Sequence, residues 1–150
     1  MNYIGVDPGA KGGLALLTNE GVIEYCLMPS TVADISEWLL SISCRSDIQV
    51  KMVVELAQAM PKQGVTSSFN YGRHFGTFEA LAVSHGIPYI EVRPAVWKKA
   101  MGLNAAKLDS ITLCKRLFPS VNLIPEGCKT ANDGIAEAVL IAEWARRNNL

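Results

Sequence analysis

The stretch Tyr3-Ile4-Gly5-Val6-Asp7-Pro8-Gly9-Ala10-Lys11-Gly12-Gly13-Leu14-Ala15-Leu16-Leu17 constrains the fold more than any other. It reads as two short strands joined by a glycine-rich turn. Tyr3 to Val6 is apolar and partly β-branched, which suits burial on both faces of a sheet. This strand delivers one carboxylate, Asp7, to its C-terminal end, and Pro8 and Gly9 stop it there. Leu14 to Leu17 then leaves antiparallel. Gly12 and Gly13 carry no side chain, so something large can approach the backbone at that point. A carboxylate beside an open glycine floor suits a metal ion and a phosphate. The plainer alternative is a hairpin whose Asp only caps a turn.

The rest of the chain can be placed around this unit. After the turn Thr18-Asn19-Glu20-Gly21, a third strand from Val22 to about Met28 completes a meander. Thr31 starts a helix, with Asp34 three residues later in the manner of a capping box, and Ile35, Trp38, Leu39 and Ile42 recur at helical spacing to about Ser43. Lys51-Met52-Val53-Val54-Glu55 repeats the logic of the first strand, an apolar run ending in a carboxylate. Such a charge is unexpected there unless paired, metal-bound or at a sheet edge. Ala57 to Val65, with Pro61, Lys62 and Gly64, reads as a mobile loop. A long helix from Ser67 or Ser68 to about Ser84 holds Phe69, Tyr71, Phe75, Phe78 and Leu81. Its aromatics exceed one buried stripe, which suits a partner subunit or stacking on bases; the alternative is that all are core.

A strand from Tyr89 to Val92 follows Gly86-Ile87-Pro88. Arg93-Pro94 opens a short helix carrying Trp97, Lys98 and Lys99, broken at Gly102. Another helix spans about Ala105 to Leu117. Ser120 to Lys129 reads as an exposed loop. The final helix runs from about Asn132 to Arg147, with Ile135, Ala138, Val139, Ala142 and Ala145 as its buried stripe. This order predicts an α/β fold: a mixed five-stranded sheet, an antiparallel three-stranded meander plus parallel strands, with helices on both faces. Ligands gather at the C-terminal ends of strands in such sheets, so Asp7 and Glu55 are expected as neighbours.

A chain of 150 residues, 49% of them hydrophobic, suits one domain over its whole length. The formal net charge is zero. Its distribution is uneven, however: Arg93, Lys98, Lys99, Lys107, Lys115 and Arg116 fall in one segment against the single acid Asp109, which permits a basic face on a neutral protein. A solvated helix surface is the alternative. No apolar run approaches the roughly 18 residues of a membrane span, and no signal peptide is visible at the start. Cys26, Cys44, Cys114 and Cys128 are scattered, without a C-x-x-C pair, and read as reduced thiols of a cytoplasmic protein.

The final helix adds Asp133 and Glu137, four apart on one face, where like charges repel. The alternative for either is a place in the first turn, which acids favour. Two unit charges about 4 Å apart repel by roughly 4 kcal/mol at an effective dielectric near 20. Four acids in one place therefore need cations, and hard oxygen donors without convergent His or Cys favour magnesium or manganese over zinc. Two such ions about 4 Å apart can hold a phosphodiester between them.

Together, Val6-Asp7-Pro8-Gly9, Val53-Val54-Glu55 and the run from Asp133 to Ala142 resemble the RuvC-type Holliday junction resolvases, in the variant encoded by bacteriophages. Arg93-Pro94 with Trp97-Lys98-Lys99 also looks like that group. The resemblance spans nearly the whole chain. It implies an RNase H-like fold, a homodimer, and metal-dependent cutting of four-way DNA junctions in a cytoplasm, with no membrane and no nucleotide cofactor. It implies Asp7, Glu55, Asp133 and Glu137 as ligands of two magnesium ions, manganese able to substitute. Lys98 and Lys107 lie where the family places lysines facing the scissile phosphate, and Lys107 joins the acids in the implied catalytic set. Lys11, Lys62, Arg73, His74, Arg93 and Lys99 are implied DNA contacts with them. The aromatic-rich helix resembles the family's dimer helix, which would place Phe69, Tyr71, Phe75 and Phe78 at an interface. Two departures stand out. The family's junction-stacking aromatic after the strand Glu is Gln58 here, which leaves that task to other residues such as Phe69 or Tyr71, or else implies a looser specificity. The last ligand is Glu137 where bacterial enzymes have Asp, four rather than three residues after its partner.

The leading expectation is thus a structure-selective endonuclease. The alternatives are a junction-binding protein without catalysis and an RNA-processing nuclease of the same fold. The first motif also resembles the phosphate loop of sugar kinases and actin-like ATPases, but those folds need two domains and a second phosphate loop.

Overall fold

The computed structural model describes residues 1–45, 49–56, 58, 64–103 and 107–150. Among the described residues, five strands and five helices follow one another as β1 (Asn2–Asp7), β2 (Gly13–Thr18), β3 (Gly21–Leu27), α1 (Val32–Ser43), β4 (Val50–Glu55), α2 (Val65–Ser84), β5 (Tyr89–Val92), α3 (Pro94–Ala100), α4 (Lys107–Leu117) and α5 (Asp133–Arg147). Most of the expected loop between β4 and α2, including Lys62, lies outside the described residues, as do residues 104–106 before α4.

The strands form one sheet in the order β3-β2-β1-β4-β5. β1 is central. It pairs antiparallel with β2, Val6 opposite Leu14, and parallel with β4, Val6 opposite Val54. β5 adds parallel to β4. This is the mixed sheet expected from the sequence, and it fixes the site: β1 and β4 run the same way in register, so Asp7 and Glu55 leave the sheet at the same edge.

Strand alternation sends side chains to two cores. On one face Ile4, Val6, Leu14, Leu16, Met52 and Val54 pack with Ile35, Leu39 and Ile42 of α1 and Phe78 and Ala82 of α2. On the other, Tyr3, Ala15, Leu17 and Val53 pack with α5, with Trp97 of α3 and with Leu113 and Cys114 of α4. Thr31 caps α1: its hydroxyl accepts from the Asp34 amide at 3.1 Å and donates to the Asp34 carboxylate at 2.7 Å. The four cysteines are free thiols. Among the described residues no helix is long and apolar enough to cross a membrane.

α5 departs from its expected single stripe. Every residue from Gly134 to Glu143 is buried. The helix lies between the sheet on one side and α3 and α4 on the other, so it has two faces to bury. Glu143 is buried, and its charge is met by Arg146 and Arg147, which donate to it at 2.7 to 3.0 Å. Burial alone would push its carboxyl up, but these bonds outweigh it and hold the group below its ordinary range. The loop before α5 is also less exposed than expected: Val121 and Leu123 are buried. Its backbone is tied down, with the Asn122 amide donating to the Tyr25 hydroxyl at 2.8 Å and the Asn132 amide to the Leu123 carbonyl at 2.7 Å.

Asn132 caps α5, its side-chain oxygen accepting from the Ile135 amide at 2.8 Å. Replacing Asn132 with Ala should cost about 1 kcal/mol of stability, and Asn132→Ser should recover most of it. Urea denaturation of the two variants checks this; equal stability of Asn132→Ala and the parent would remove the cap from the account.

Candidate active site

Asp7 stands at the end of β1, and one of its oxygens accepts from the Gly9 amide at 3.4 Å. Glu55 stands at the end of β4, buried. The indole Nε1 of Trp97 donates to its Oε2 at 2.6 Å, and the Tyr71 hydroxyl donates to its Oε1 at 3.4 Å. Asp133 is the first residue of α5, and Glu137 lies one turn further in, also buried. Both Glu137 oxygens accept from Lys98 Nζ, at 2.9 and 3.0 Å, and its Oε1 also accepts from Ser110 Oγ at 3.1 Å. The Lys98 ammonium lies 5.1 Å from the centre of the Trp97 ring, within cation–π range.

These acids open onto one cleft of about 770 Å³, lined by Asp7, Glu55, Asp133 and Glu137, by Gly9 to Gly12, and by Thr66, Ser67, Asn70, Tyr71 and His74 of α2. The N-terminal half of α2 therefore forms the wall facing the carboxylates. Its spacing there, Thr66, Asn70, Tyr71 and His74, is that of one polar helix face.

What brings the acids together is a close approach of backbones. Gly12 and Gly134 form an isolated parallel bridge between the β1–β2 turn and the start of α5. A Cβ on Gly134 would lie 2.5 Å from the Gly12 Cα, far inside contact distance. One on Gly13 would meet the Gly134 carbonyl at 3.0 Å. The glycine floor does admit a large neighbour, but that neighbour is α5 rather than a ligand at Gly13, and both Gly12 and Gly13 are buried.

Charge accumulates here at a cost. Burial, followed by the proximity of Glu55 and Glu137, pushes the Asp7 carboxyl up from 3.8 to about 7, against the Gly9 amide and Lys98, which favour its charged form. Burial also pushes Glu55 up, opposed by the Trp97 hydrogen bond and Lys98. The Tyr71 phenol is raised by burial and then by Glu55 and Asp7, so it remains a donor. The donors are carboxylate oxygens whose mutual repulsion a hard divalent cation would relieve, so the set fits such an ion in chemistry. As the side chains stand, with Glu137 on Lys98 and Glu55 on Trp97, no three His, Cys, Asp or Glu among the described residues are gathered closely enough to hold one.

The basic residues fall into two sets. Lys98 faces the acids. Lys11 is exposed beside the cleft, and Arg73, Arg93 and Lys99 are exposed. His74 lines the cleft, and its Nδ1 is buried without a hydrogen-bond partner. Lys107 opens α4, with its side chain outside the described residues, where Lys62 also lies.

The aromatics of α2 take different places. Phe78 is fully buried in this chain's own core, Phe75 packs against the same core, and Tyr71 turns into the cleft. Only Phe69 of the four is exposed, at 68%. Aromatics spread around a helix cannot all share one face, and the sheet takes those toward its C-terminal half. Sequence reasoning missed the bonds from Trp97 and Tyr71 to Glu55, and missed Ser110 altogether. A lone Ser inside a helix gives no signal, whereas a Trp beside the Lys that faces the acids was a usable one.

No protein-family model matches the chain, and no curated protein matches it in sequence. Solved structures do. The fold is RNase H-like, of the RuvC kind. RuvC of Thermus thermophilus in complex with a Holliday junction substrate superposes with a TM-score of 0.66 at 18% identity, over 99% of this chain and 96% of that one. A second Thermus thermophilus RuvC structure gives 0.65 at 19% identity, over 99% and 97%. The likeness read from three short motifs thus extends, as fold, over essentially the whole chain.

Proposed function

We propose that this chain is a metal-dependent endonuclease that cuts branched DNA, four-way junctions foremost. The observation that carries the reading is the meeting of Asp7, Glu55, Asp133 and Glu137, from three separate segments, around one cleft. The end-to-end likeness to RuvC, seen in one structure with a Holliday junction substrate, supplies the substrate class.

In this reading the four carboxylates would hold two magnesium ions, with manganese able to substitute. When bound, such ions supply an activated water and neutralise charge on the leaving oxygen. The chain's own residues do the rest. Trp97 and Tyr71 fix both oxygens of Glu55, so that carboxylate is oriented before substrate arrives. Lys98, and Lys107 from the start of α4, place positive charge beside the phosphodiester. Lys11, Arg73, Arg93 and Lys99 contact phosphates, a sequence-independent attraction that should weaken with salt. His74 lines the cleft on the α2 side, in position for its ring to meet a phosphate. Exposed Phe69 suits a base stack or a second copy of the chain, and a homodimer would present two sites to two strands of a junction.

The test is a synthetic four-way junction, each strand end-labelled in turn, incubated with protein in magnesium and then in EDTA. Paired nicks at symmetric positions, present only with the metal, are expected. Binding without nicks would replace the nuclease by a junction-binding protein. Neither binding nor nicks would remove DNA junctions from the reading and turn the search to RNA.

A further inference from the structure

Lys98 holds Glu137 in a way that bears on any cation at the site. α3 starts with Pro94, and its Trp97 is fully buried, so the backbone beneath Lys98 is anchored. From that base Nζ bonds both Glu137 oxygens, and Ser110 Oγ takes a further position on Oε1. The Lys98 side chain is 27% exposed and the Glu137 side chain 9%, so the pair is only partly screened by water. A divalent ion that used Glu137 would meet an ammonium already on both oxygens, and two cations at such range repel. The ammonium and a divalent ion compete for this carboxylate.

We infer that Lys98 is the resident counter-cation of the cation-free site: it holds Glu137 through both oxygens and leaves it when a divalent ion takes that carboxylate. The inference rests on the metal-binding reading above. Departure from Glu137 frees the ammonium beside a residue that lines the cleft, where a phosphodiester is its next available anion. Cation binding and the readiness of Lys98 for substrate are then one event. Linkage follows: whatever Lys98 contributes to the cation-free fold is subtracted from cation affinity. Removing its charge should leave Glu137 buried and unpaired, a less stable chain that binds the cation more tightly.

Titration calorimetry of the full chain with Mn2+ and with Mg2+ tests this on the parent, Lys98→Met and Lys98→Arg. Lys98→Met should bind Mn2+ tighter by at least about tenfold, and Lys98→Arg, which keeps the charge, should bind like the parent. A second measurement needs no altered fold. In parent protein carrying 13Cε-labelled lysine, the Lys98 signal, identified by its loss in Lys98→Arg, should shift saturably with Mg2+ at the calorimetric Kd. Unchanged or weaker affinity in Lys98→Met, or a Lys98 signal that stays put while Mg2+ binds, would overturn the inference and leave the metal reading standing. Failure of the parent and Lys98→Met alike to bind either ion at millimolar concentration would overturn both.

Discussion

Asp7→Asn should lower the rate of junction cleavage in magnesium by about a thousandfold or more, roughly 4 kcal/mol of lost barrier lowering. The same variant should be more stable than the parent at pH 8 in EDTA. Both follow from one carboxylate. Asp7 is central among the acids, and its carboxyl is raised from 3.8 to about 7 by burial, then by Glu55 and Glu137. A raised carboxyl means that the fold prefers the protonated form. The stability tied to that preference is whole below about pH 4 and is lost as pH rises through about 7. Asn cannot ionise, so Asp7→Asn should gain about 1–3 kcal/mol at pH 8 without cation, and the gain should shrink toward zero in acid. Magnesium should reverse the order by stabilising the parent and not the variant. Urea denaturation at pH 4 and pH 8, with and without magnesium, and junction binding by gel shift separate these effects. Binding by Asp7→Asn should stay close to that of the parent. Full cleavage activity in Asp7→Asn would take Asp7 out of the site.

Gly5→Ala should cost at least about 3 kcal/mol and take the fold below the point of useful stability, although it adds a single methyl group. A Cβ at Gly5 would overlap the Ala138 carbonyl oxygen of α5 and lie 2.7 Å from the Ala142 amide. Both obstacles are backbone, which cannot rotate aside. β1 cannot retreat either, since β2 and β4 flank it with continuous pairing. The control is Gly72→Ala, at a helical position in α2 where a Cβ meets nothing within 4 Å. It should gain about 0.5–1 kcal/mol, as Ala normally does over Gly in a helix. Similar midpoints for Gly5→Ala and the parent in urea would show that α5 can shift from β1, against the packing described here.

The sequence was most readable where one residue type has one physical use. Pro8 and Gly9 end β1, Thr31 caps α1, Gly102 follows α3, and each boundary came out within a residue or two. Asp7 and Glu55 were visible because a charge ending an apolar strand has few explanations, and parallel pairing then makes them neighbours. What could not be read depends on the far side of each contact. Gly12 and Gly13 announced a close approach without saying to what, and the partner was α5. Phe78, Phe75 and Tyr71 sit on one helix within a few residues, yet one is core, one is core edge and one is a donor to Glu55. Only the helix's position over the sheet sorts them. The stripe Ile135, Ala138, Val139, Ala142 and Ala145 announced one buried face of α5, but not that both would be covered.

The bridge between Gly12 and Gly134 joins the β1–β2 turn to α5, more than a hundred residues later. During translation Asp7 is made well before Asp133 and Glu137, while β1, the strand that α5 packs against, waits at the middle of the sheet for partners on either side. Contacts of such long sequence separation form slowly. An N-terminal fragment that stops short of α5 thus holds two of the four acids and lacks the helix that covers one face of its central strands. A ribosome-bound or truncated chain of this kind has no complete cleft, so the topology itself delays assembly of the four carboxylates until synthesis has passed α5.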